Sequence, residues 1–265
     1  KLAAEGMTAL RLPVYSNPNY DGGRTPSSQA GLTAYANFAA NAIAAFPGTG
    51  SDVEVYNEFE HRGFSECGTT PACYLDMLKT TAATVKASYP DAKIIGPGVA
   101  GMGVKFDWLE GFIAAGGLEY VDAVSLHPYV HPEAPEVLVD DLARLDALIT
   151  ASGGESPPEI WLTEMGWPTA NGWATEEQQA DYLVRMAAIA FGSGVDRIYW
   201  YELANSSPFL NAVEANFGLF YGPSSLLPET QAPKRAAVAQ AVLARMVGDA
   251  TFVARSPSPD GIVDM

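Results

Sequence analysis

The sequence predicts an α/β protein built on a parallel sheet. Short apolar runs alternate with longer segments whose apolar residues recur at helical spacing, and no break in composition divides the chain. The apolar runs lack the polar alternation of a half-exposed strand, as is typical of parallel strands covered on both faces. The pattern therefore favours repeated strand–helix units within one domain.

Six of the apolar runs are candidate strands. In chain order they are Met7–Val14, Val53–Asn57, Ala92–Gly96, Val121–Leu126, Ile160–Thr163 and Arg197–Tyr201. Six strands complete an open doubly wound sheet, whereas a closed barrel of strand–helix units needs eight. Counting alone therefore favours the open sheet.

Amphipathic segments between these strands are candidate helices. The apolar faces of the first four are Leu32, Tyr35, Phe38, Ala42, Ile43 and Phe46, then Leu75, Leu78, Ala82, Val85 and Tyr89, then Trp108, Leu109, Phe112 and Ile113, then Leu138, Leu142, Leu145 and Ile149. Thr175 and Gln178 have the spacing of a capping box, which predicts a fifth helix running to about Phe191. Pro233 suits the first turn of a last helix that we expect to end near Val247.

Composition and charge exclude several classes of protein. Of the 265 residues, 48% are apolar and 17% charged, which rules out disordered, collagen-like and coiled-coil chains. No apolar run approaches the roughly 20 residues of a membrane helix. A net charge of −16 is poorly suited to nucleic acid or to an anionic membrane, because both need clustered positive charge. A small molecule, a glycan or a protein remains as the partner.

The two cysteines lie close together in a polar stretch. Cys67 and Cys73 flank a segment with glycine and proline, which predicts a small disulfide-closed loop and hence a secreted or cell-surface protein. Two reduced thiols that happen to be neighbours are the alternative. The chain shows no signal peptide and both of its ends look cut, so we expect a fragment or a partial chain.

A glycine pattern offers a competing function. Gly96, Gly98 and Gly101 follow a candidate strand with the G-x-G-x-x-G spacing of a dinucleotide site. However, Pro97 lacks the N–H that a phosphate cradle uses, and the next strand closes at Leu126 and His127 without an acidic residue. A tight glycine-rich turn between strand and helix is favoured, and a nucleotide-dependent oxidoreductase is the weaker alternative.

Two glutamates stand at the carboxyl ends of apolar strands. Glu58 closes the segment that begins at Val53, and Glu164 closes the one that begins at Ile160. In parallel α/β proteins that end of the strand faces the active site. A strand-end glutamate alone would more simply be a helix N-terminal charge or half of a salt bridge. Two such residues together, one preceded by asparagine and one followed by Gly-Trp-Pro, favour a paired-carboxylate site.

Several ordered motifs give the chain a family resemblance. Val-Tyr-Asn57-Glu58 and Leu-Thr-Glu164-Met-Gly-Trp-Pro resemble the segments that end the fourth and seventh strands of clan A glycoside hydrolases, which are (β/α)8 barrels. Asp122-Ala-Val-Ser-Leu-His127-Pro-Tyr129 is similar to the sixth-strand segment of family 39-like members. Arg197-Ile-Tyr-Trp200-Tyr-Glu-Leu resembles the eighth strand, and Asn216-Phe-Gly-Leu-Phe the segment after it.

The resemblance covers nearly the whole chain, with two departures. The acid/base motif reads Asn-Glu-Phe-Glu where Asn-Glu-Pro is commoner, and Glu-Met-Gly-Trp-Pro is also similar to the family 17 β-1,3-glucanases. There is some similarity to family 5 as well. Numbered back from Glu58, Met7–Val14 becomes the third strand. The resemblance thus implies a (β/α)8 TIM barrel whose first two strand–helix units are missing, with residues 1–250 catalytic and 251–265 a linker or the start of a further segment.

The resemblance also implies a mechanism. Glu164 would be the nucleophile and Glu58 the acid/base of a retaining glycoside hydrolase, which cleaves β-glycosidic bonds in a polysaccharide or oligosaccharide through a covalent intermediate, with endo action as the first expectation. Asn57, beside the acid, is placed to bond the sugar 2-hydroxyl. A catalytically inactive glycan-binding protein of the same fold is the alternative, against which two intact glutamates argue.

Other residues are expected to contact the sugar. His127 and Tyr129 share one strand face and would bond the sugar and orient Glu164. Trp167 and Trp200 would stack on pyranose rings, and Glu202 would either contact the sugar or support the site. His127 could also be a structural or metal-binding histidine, but prolines follow both His127 and His131 and no HExxH motif occurs. We therefore expect no metal and no cofactor.

Overall fold

The computed structural model describes residues 2–61, 67–206, 212–222, 232–248, 250 and 253, in which helices and strands alternate. The helices are α1 (Gln29–Ala45), α2 (Pro71–Ser88), α3 (Phe106–Ala114), α4 (Val139–Ser152), α5 (Glu176–Phe191) and α6 (Arg235–Val247). The strands are β1 (Val53–Glu54), β2 (Ile94–Met102), β3 (Ala123–Tyr129), β4 (Glu159–Met165) and β5 (Arg197–Trp200). The predicted α/β class is confirmed.

The strands form a parallel sheet in chain order. The hydrogen-bonded order is β1-β2-β3-β4-β5, with Val53 opposite Ile94 and Glu54 opposite Ile95. A sheet whose order equals the chain order arises when every strand is followed by a helix that crosses back in the same sense. The carboxyl ends of the strands, and the residues that follow them, therefore share one edge of the sheet.

The predicted strand Met7–Val14 was wrong in extent. Among the described residues of that segment only Arg11 makes a bridge, parallel to Val53. Arg11 N donates to Asp52 O at 3.0 Å, and Glu54 N donates to Arg11 O at 2.8 Å. Pro13 has no N–H with which to extend the ladder. The pairing beside β1 is therefore one residue long.

The chain divides into two compact units. Unit one comprises Lys1–His127 and Ala147–Trp161. Within it α1 packs on α2, and α2 packs on α3. The buried faces of these helices match the predicted apolar stripes at Leu32, Ile43, Leu78, Val85 and Phe112. Two residues of the first predicted stripe, Phe38 and Phe46, are exposed instead.

Unit two comprises Pro128–Asp146 and Leu162–Met265. Its helices α5 and α6 pack on each other around Leu183, Leu219 and Ala236. The predicted capping box is present at the start of α5, because the Thr175 hydroxyl accepts from Gln178 N and the Gln178 side chain accepts from Thr175 N. Helix α6 begins at Arg235, two residues after Pro233, and ends at Val247 as expected.

The glycine pattern lies inside a strand. Gly96, Gly98 and Gly101 all belong to β2, so the predicted turn between strand and helix was wrong. Gly98 has φ +61, and a Cβ there would lie 3.1 Å from Glu54 Oε1 and 3.6 Å from Tyr56 O. Glycine thus lets β2 approach the segment that carries Glu54 and Tyr56. A phosphate loop would instead lead from the strand into a helix N-terminus.

Within the described residues, no helix is both long enough and apolar enough to cross a membrane.

In unit one, Cys67 and Cys73 form a disulfide, with their Cα atoms 5.9 Å apart. Cys67 precedes α2, and Cys73 lies in its first turn. The predicted pairing is therefore present.

Candidate active site

Glu58 lies in unit one, at the end of a strained turn. Val55 N donates to Ile95 O at 2.8 Å, after which the chain leaves β1, and Glu58 N donates to Gly98 O at 3.2 Å. Tyr56 and Glu58 have positive φ values of 66 and 48 degrees. Non-glycine residues rarely adopt this conformation, and strained backbone is concentrated at functional sites.

Two buried tyrosines hold the backbone of this turn. Tyr35 of α1 donates to Pro13 O at 2.8 Å and accepts from Tyr56 N at 2.7 Å, while Tyr74 of α2 donates to Val55 O at 2.9 Å. Burial raises the pKa of both phenols, so they stay protonated donors. Helical periodicity predicts Tyr35 on an apolar helix face but not this role, because periodicity indicates burial and not the partner of a hydroxyl.

His127 is the close partner of Glu58. Its Nδ1 lies 3.1 Å from Glu58 Oε1, and its Nε2 lies 3.9 Å from Glu54 Oε1. The His127 side chain is 0% exposed, that of Glu54 is 2% exposed and that of Glu58 is 20% exposed. The prediction of a direct sugar contact by His127 was wrong, because an imidazole without exposed surface cannot reach a ligand. Glu54 was missed, although a charged residue inside an apolar strand was a visible signal.

Asn57 carries an unsatisfied polar atom. The residue is buried, and its Oδ1 has no hydrogen-bond partner among the described residues. Buried amide oxygens are nearly always hydrogen-bonded, so each exception calls for an explanation. Because this oxygen has no exposed surface in the structure, its predicted contact with a sugar hydroxyl stays a prediction.

Glu60 anchors the end of the same segment. Its Oε1 accepts from Ala100 N at 2.6 Å and lies 3.7 Å from Lys105 Nζ and 3.5 Å from His61 Nε2. Burial raises the pKa of Glu60, against the opposing effect of the backbone N–H groups of Glu60 and Ala100 and of the nearby Lys105 ammonium. This cluster fixes the chain after Glu58 onto β2.

Glu164 lies in unit two, near the end of β4, where Tyr129 at the end of β3 contacts it. Tyr129 Oη donates to Glu164 Oε2 at 3.0 Å. The contact is compatible with the predicted orientation of Glu164 by Tyr129, which stays a prediction. A hydrogen bond to a carboxylate favours its charged form and restricts its rotation.

Aromatic rings fix the position of Tyr129. Its ring makes edge contacts with Tyr201, Phe217 and His131 at centroid distances of 6.3, 5.7 and 5.7 Å. His131 also packs against Trp173 at 5.0 Å, and burial lowers the pKa of its imidazole. A ring enclosed in this way holds its hydroxyl in one place, as preorganised sites require.

The two predicted stacking tryptophans differ in exposure. Trp167 has no exposed surface, donates from Nε1 to Glu133 O at 2.7 Å and packs on Tyr182. Sugar stacking by Trp167 was therefore a wrong expectation. Trp200 is half-buried, lies 6.0 Å from the Trp167 ring and donates to Phe217 O at 3.2 Å. Of these two tryptophans, Trp200 is the one with solvent-exposed surface on which a sugar ring could stack.

Glu202 and Lys234 form the other charged feature of unit two. Burial raises the pKa of Glu202, and its Oε1 is buried with no hydrogen-bond partner among the described residues. Lys234 is buried and donates to Thr169 Oγ1 at 2.9 Å and to Asn216 O at 3.1 Å. Burial lowers its pKa to about 8. The sequence did not predict a buried cation at Lys234, because a lysine after a proline is typical of the beginning of a helix.

Several solved structures of glycoside hydrolases share the fold of this chain. A family 39 glycoside hydrolase from Bacteroides cellulosilyticus WH2 is 25% identical, with a TM-score of 0.81 over 96% of this chain and 54% of that chain. GH5_18 from Streptomyces cattleya is 16% identical, with a TM-score of 0.62 over 85% and 55%. A family 17 β-1,3-glucanosyltransferase from Rhizomucor miehei is 18% identical, with a TM-score of 0.56 over 82% and 73%.

These similarities confirm the predicted fold class, because the chain matches part of the barrel of such enzymes. The chain spans about half the length of the family 39 protein. No curated protein matches the sequence significantly. The family described as glycosyl hydrolase catalytic core matches residues 33–224, which is most of the chain. The chain belongs to the glycosyl hydrolase catalytic core family.

Proposed function

We propose that the protein is a retaining glycoside hydrolase that cleaves β-glycosidic bonds, with Glu164 as the nucleophile and Glu58 as the acid/base. The family match supports glycoside hydrolysis. The observation that carries the assignment of roles is the hydrogen bond from Tyr129 to Glu164, since a nucleophilic carboxylate has to be charged and held in one orientation.

In the first step one oxygen of Glu164 attacks the anomeric carbon while the bond to the leaving oxygen breaks. Glu58 gives its proton to that oxygen, so a neutral alcohol departs and a covalent glycosyl ester remains. Tyr129 keeps the attacking carboxylate from rotating away. The transition state carries positive charge at the sugar ring, which the paired carboxylates stabilise.

In the second step Glu58, now a carboxylate, takes a proton from water. The resulting hydroxide equivalent attacks the anomeric carbon, the ester bond to Glu164 breaks, and Glu58 is again protonated. Two inversions give net retention. Asn57 Oδ1 is proposed to accept from the sugar 2-hydroxyl, a contact that strengthens in the transition state.

The proposed substrate is a polysaccharide or oligosaccharide, cleaved internally. Trp200 offers a ring for stacking, and Glu202, whose Oε1 is buried, is proposed to support the site. A net charge of −16 favours neutral over polyanionic glycans. The disulfide between Cys67 and Cys73 supports a secreted or cell-surface location, where such substrates occur.

Azide rescue of two variants tests the roles. With a 2,4-dinitrophenyl β-glycoside, Glu164→Gly should lose activity by at least about 10³-fold and recover with azide to give the α-glycosyl azide, because azide fills the space of the nucleophile. Glu58→Ala should react to the glycosyl-enzyme and recover with azide to give the β-glycosyl azide. Products are identified by proton NMR, and Glu155→Ala, an exposed glutamate, serves as the control.

A wild-type protein that binds glycans in titration calorimetry but turns over no substrate in a polysaccharide panel would identify the inactive binding protein instead. Exchange of the two azide products would reverse the assigned roles. Release of the α-anomer from a β-glycoside by the wild type would exclude retention.

A further inference from the structure

A second carboxylate, Glu54, lies on the other side of His127 from Glu58. The three groups form a row within unit one, with Glu54 Oε1 3.9 Å from His127 Nε2 and Glu58 Oε1 3.1 Å from His127 Nδ1. Glu54 and His127 are inaccessible to solvent, whereas Glu58 keeps 20% of its side chain exposed. Only the Glu58 end of the row is open to a substrate.

The burial of the Glu54 carboxylate is energetically unfavourable. A carboxylate removed from water inside an apolar strand is strongly disfavoured unless a cation or hydrogen-bond donors compensate it. Three ionisable side chains that interact with Glu54 are Tyr35 of α1, Tyr74 of α2 and His127 of β3. Both phenols are neutral, so His127 is the member of this group that can carry the compensating charge.

The imidazole lies between two carboxylates, with Nδ1 at hydrogen-bond distance from Glu58 Oε1 and Nε2 at the longer ion-pair distance of 3.9 Å from Glu54 Oε1. Opposite charges within about 4–6 Å favour the charged form of an ionisable group, and burial strengthens this attraction because the local dielectric is low. A doubly protonated ring presents an N–H to each carboxylate. A neutral ring would present a lone pair to one of them.

We propose that Glu54 is a positioning residue whose carboxylate keeps His127 protonated on both ring nitrogens, so that Nδ1 donates to Glu58 Oε1 throughout the reaction. Oε1 is then always an acceptor, and the proton that moves resides on Oε2 of Glu58. In the first step this proton passes from Oε2 to the leaving oxygen, and in the second Oε2 takes a proton from water. His127 keeps both of its own protons. The inference rests on the proposed role of Glu58.

Nitrogen NMR of the histidine rings tests the protonation state without any substrate. The chain has three histidines, so ¹⁵N-histidine labelling gives three rings, and a His127→Asn variant assigns the one of interest. At pH 7 both His127 nitrogens of the wild type should show imidazolium shifts. In Glu54→Gln, which keeps the side-chain shape and removes the charge, one nitrogen should move to the shift of an unprotonated imidazole.

The kinetic consequence is a dependence on the leaving group. Glu54→Gln should lower kcat/KM by about 10- to 100-fold for aryl β-glycosides with poor leaving groups, which need the acid. The same variant should have nearly wild-type activity on 2,4-dinitrophenyl glycosides, which do not. In a His127→Asn background the Glu54→Gln change should add little, since residues that act through one another are not additive.

Glu60→Gln is the matched control, because Glu60 is a buried carboxylate on the same segment that binds Ala100 N, Lys105 and His61. Glu60→Gln should leave the ¹⁵N shifts of His127 unchanged, and any loss of kcat/KM should be the same for good and poor leaving groups.

Shifts of a neutral imidazole for His127 in the wild type, or identical shifts in Glu54→Gln, would overturn the inference. If Glu54→Gln does not fold, Glu54→Asp keeps the charge and should keep the imidazolium shifts. A wild type inactive on every glycoside would refute the proposed function alone, since the NMR result stands without it.

Discussion

Each candidate carboxylate has one close partner on strand β3. In unit one Glu58 contacts His127 at 3.1 Å, and in unit two Glu164 accepts from Tyr129 at 3.0 Å. The two partners differ in charge, since His127 is proposed to stay an imidazolium, whereas the phenol of Tyr129 is a neutral donor. Both are proposed to donate a hydrogen bond that fixes one oxygen of the carboxylate.

At the residue scale we predict that Tyr129→Phe lowers kcat/KM by roughly 10- to 100-fold. A hydrogen bond to a charged group contributes about 1.5–3 kcal/mol, and its loss frees the carboxylate of Glu164 to rotate. The expected change lies in kcat, with the melting temperature within about 2 °C of wild type. Steady-state kinetics and a thermal melt measure both.

Tyr182→Phe is the control, because this ring packs on Trp167 in the same unit. It should leave kcat/KM close to wild type. An equal loss in both variants would assign the effect to aromatic packing.

At the scale of elements, the acid/base turn depends on how closely β2 approaches its neighbours. Gly98 leaves room for Glu54 Oε1, and Gly96 leaves room for the hydroxyl of Tyr74, which holds Val55 O. A Cβ on Gly96 would lie 2.2 Å from that oxygen. The glycines that first suggested a nucleotide site are therefore needed for packing beside Glu58.

We predict that Gly96→Ala lowers the free energy of unfolding by roughly 1–3 kcal/mol, the usual range for overpacking a core. Urea denaturation measures the change. Because Val55 leads into the turn that carries Glu58, kcat/KM should fall as well.

The double variant Gly96→Ala with Tyr74→Phe removes the contacted oxygen and leaves the new Cβ 3.4 Å from Tyr74 Cζ. Part of the lost stability should return, minus the contribution of the Tyr74 hydrogen bond. A single variant as stable as wild type would show that β2 shifts freely at this position.

At the scale of the whole molecule, stability is expected to depend on alkaline pH through Lys234. This buried cation bonds Thr169 and Asn216, and burial lowers its pKa from 10.5 to about 8. The folded protein therefore releases the lysine proton near pH 8, whereas the unfolded chain retains it to about pH 10.5. Between these values the unfolded chain binds more protons, so the contribution of Lys234 to stability rises with pH.

We predict that the stability of wild type relative to Lys234→Met increases between pH 8 and pH 10, on the order of 2 kcal/mol. Urea denaturation across that range measures it. The range stops at pH 10 because Tyr221 affects stability above it. The Glu176 contact raises the pKa of Tyr221 to about 12, so above pH 10 the unfolded chain loses the tyrosine proton before the folded protein does, and stability falls.

Lys234→Arg is the control, since a guanidinium does not titrate below pH 12. Its stability relative to Lys234→Met should stay constant over the range. A wild-type curve parallel to both variants would contradict the lowered pKa.

Local sequence patterns predicted much of the fold. Five of the six candidate strands are present. Helical spacing predicted the first four helices, and the capping box and Pro233 predicted α5 and α6 to within a few residues. The capping box at Thr175 and the pairing of Cys67 with Cys73 follow from residues close in the chain. The position of Glu164 near the end of β4 was equally local, whereas the predicted strand before Glu58 ends early, at Glu54, and a turn carries Glu58. These features depend on steric and hydrogen-bonding preferences between residues a few positions apart, so they can be predicted from short stretches of sequence.

The tertiary structure decided which groups meet. His127 and Glu58 are 69 residues apart, and nothing in either local pattern indicates that their side chains touch. Periodicity indicates which face of a helix avoids water and not how deeply each residue is buried, so it placed Phe38 in the core, although Phe38 is exposed. The sequence by itself determined the α/β class and the candidate carboxylates. Only long-range packing decided their partners, because a hydrogen bond depends on distances that the chain does not encode locally.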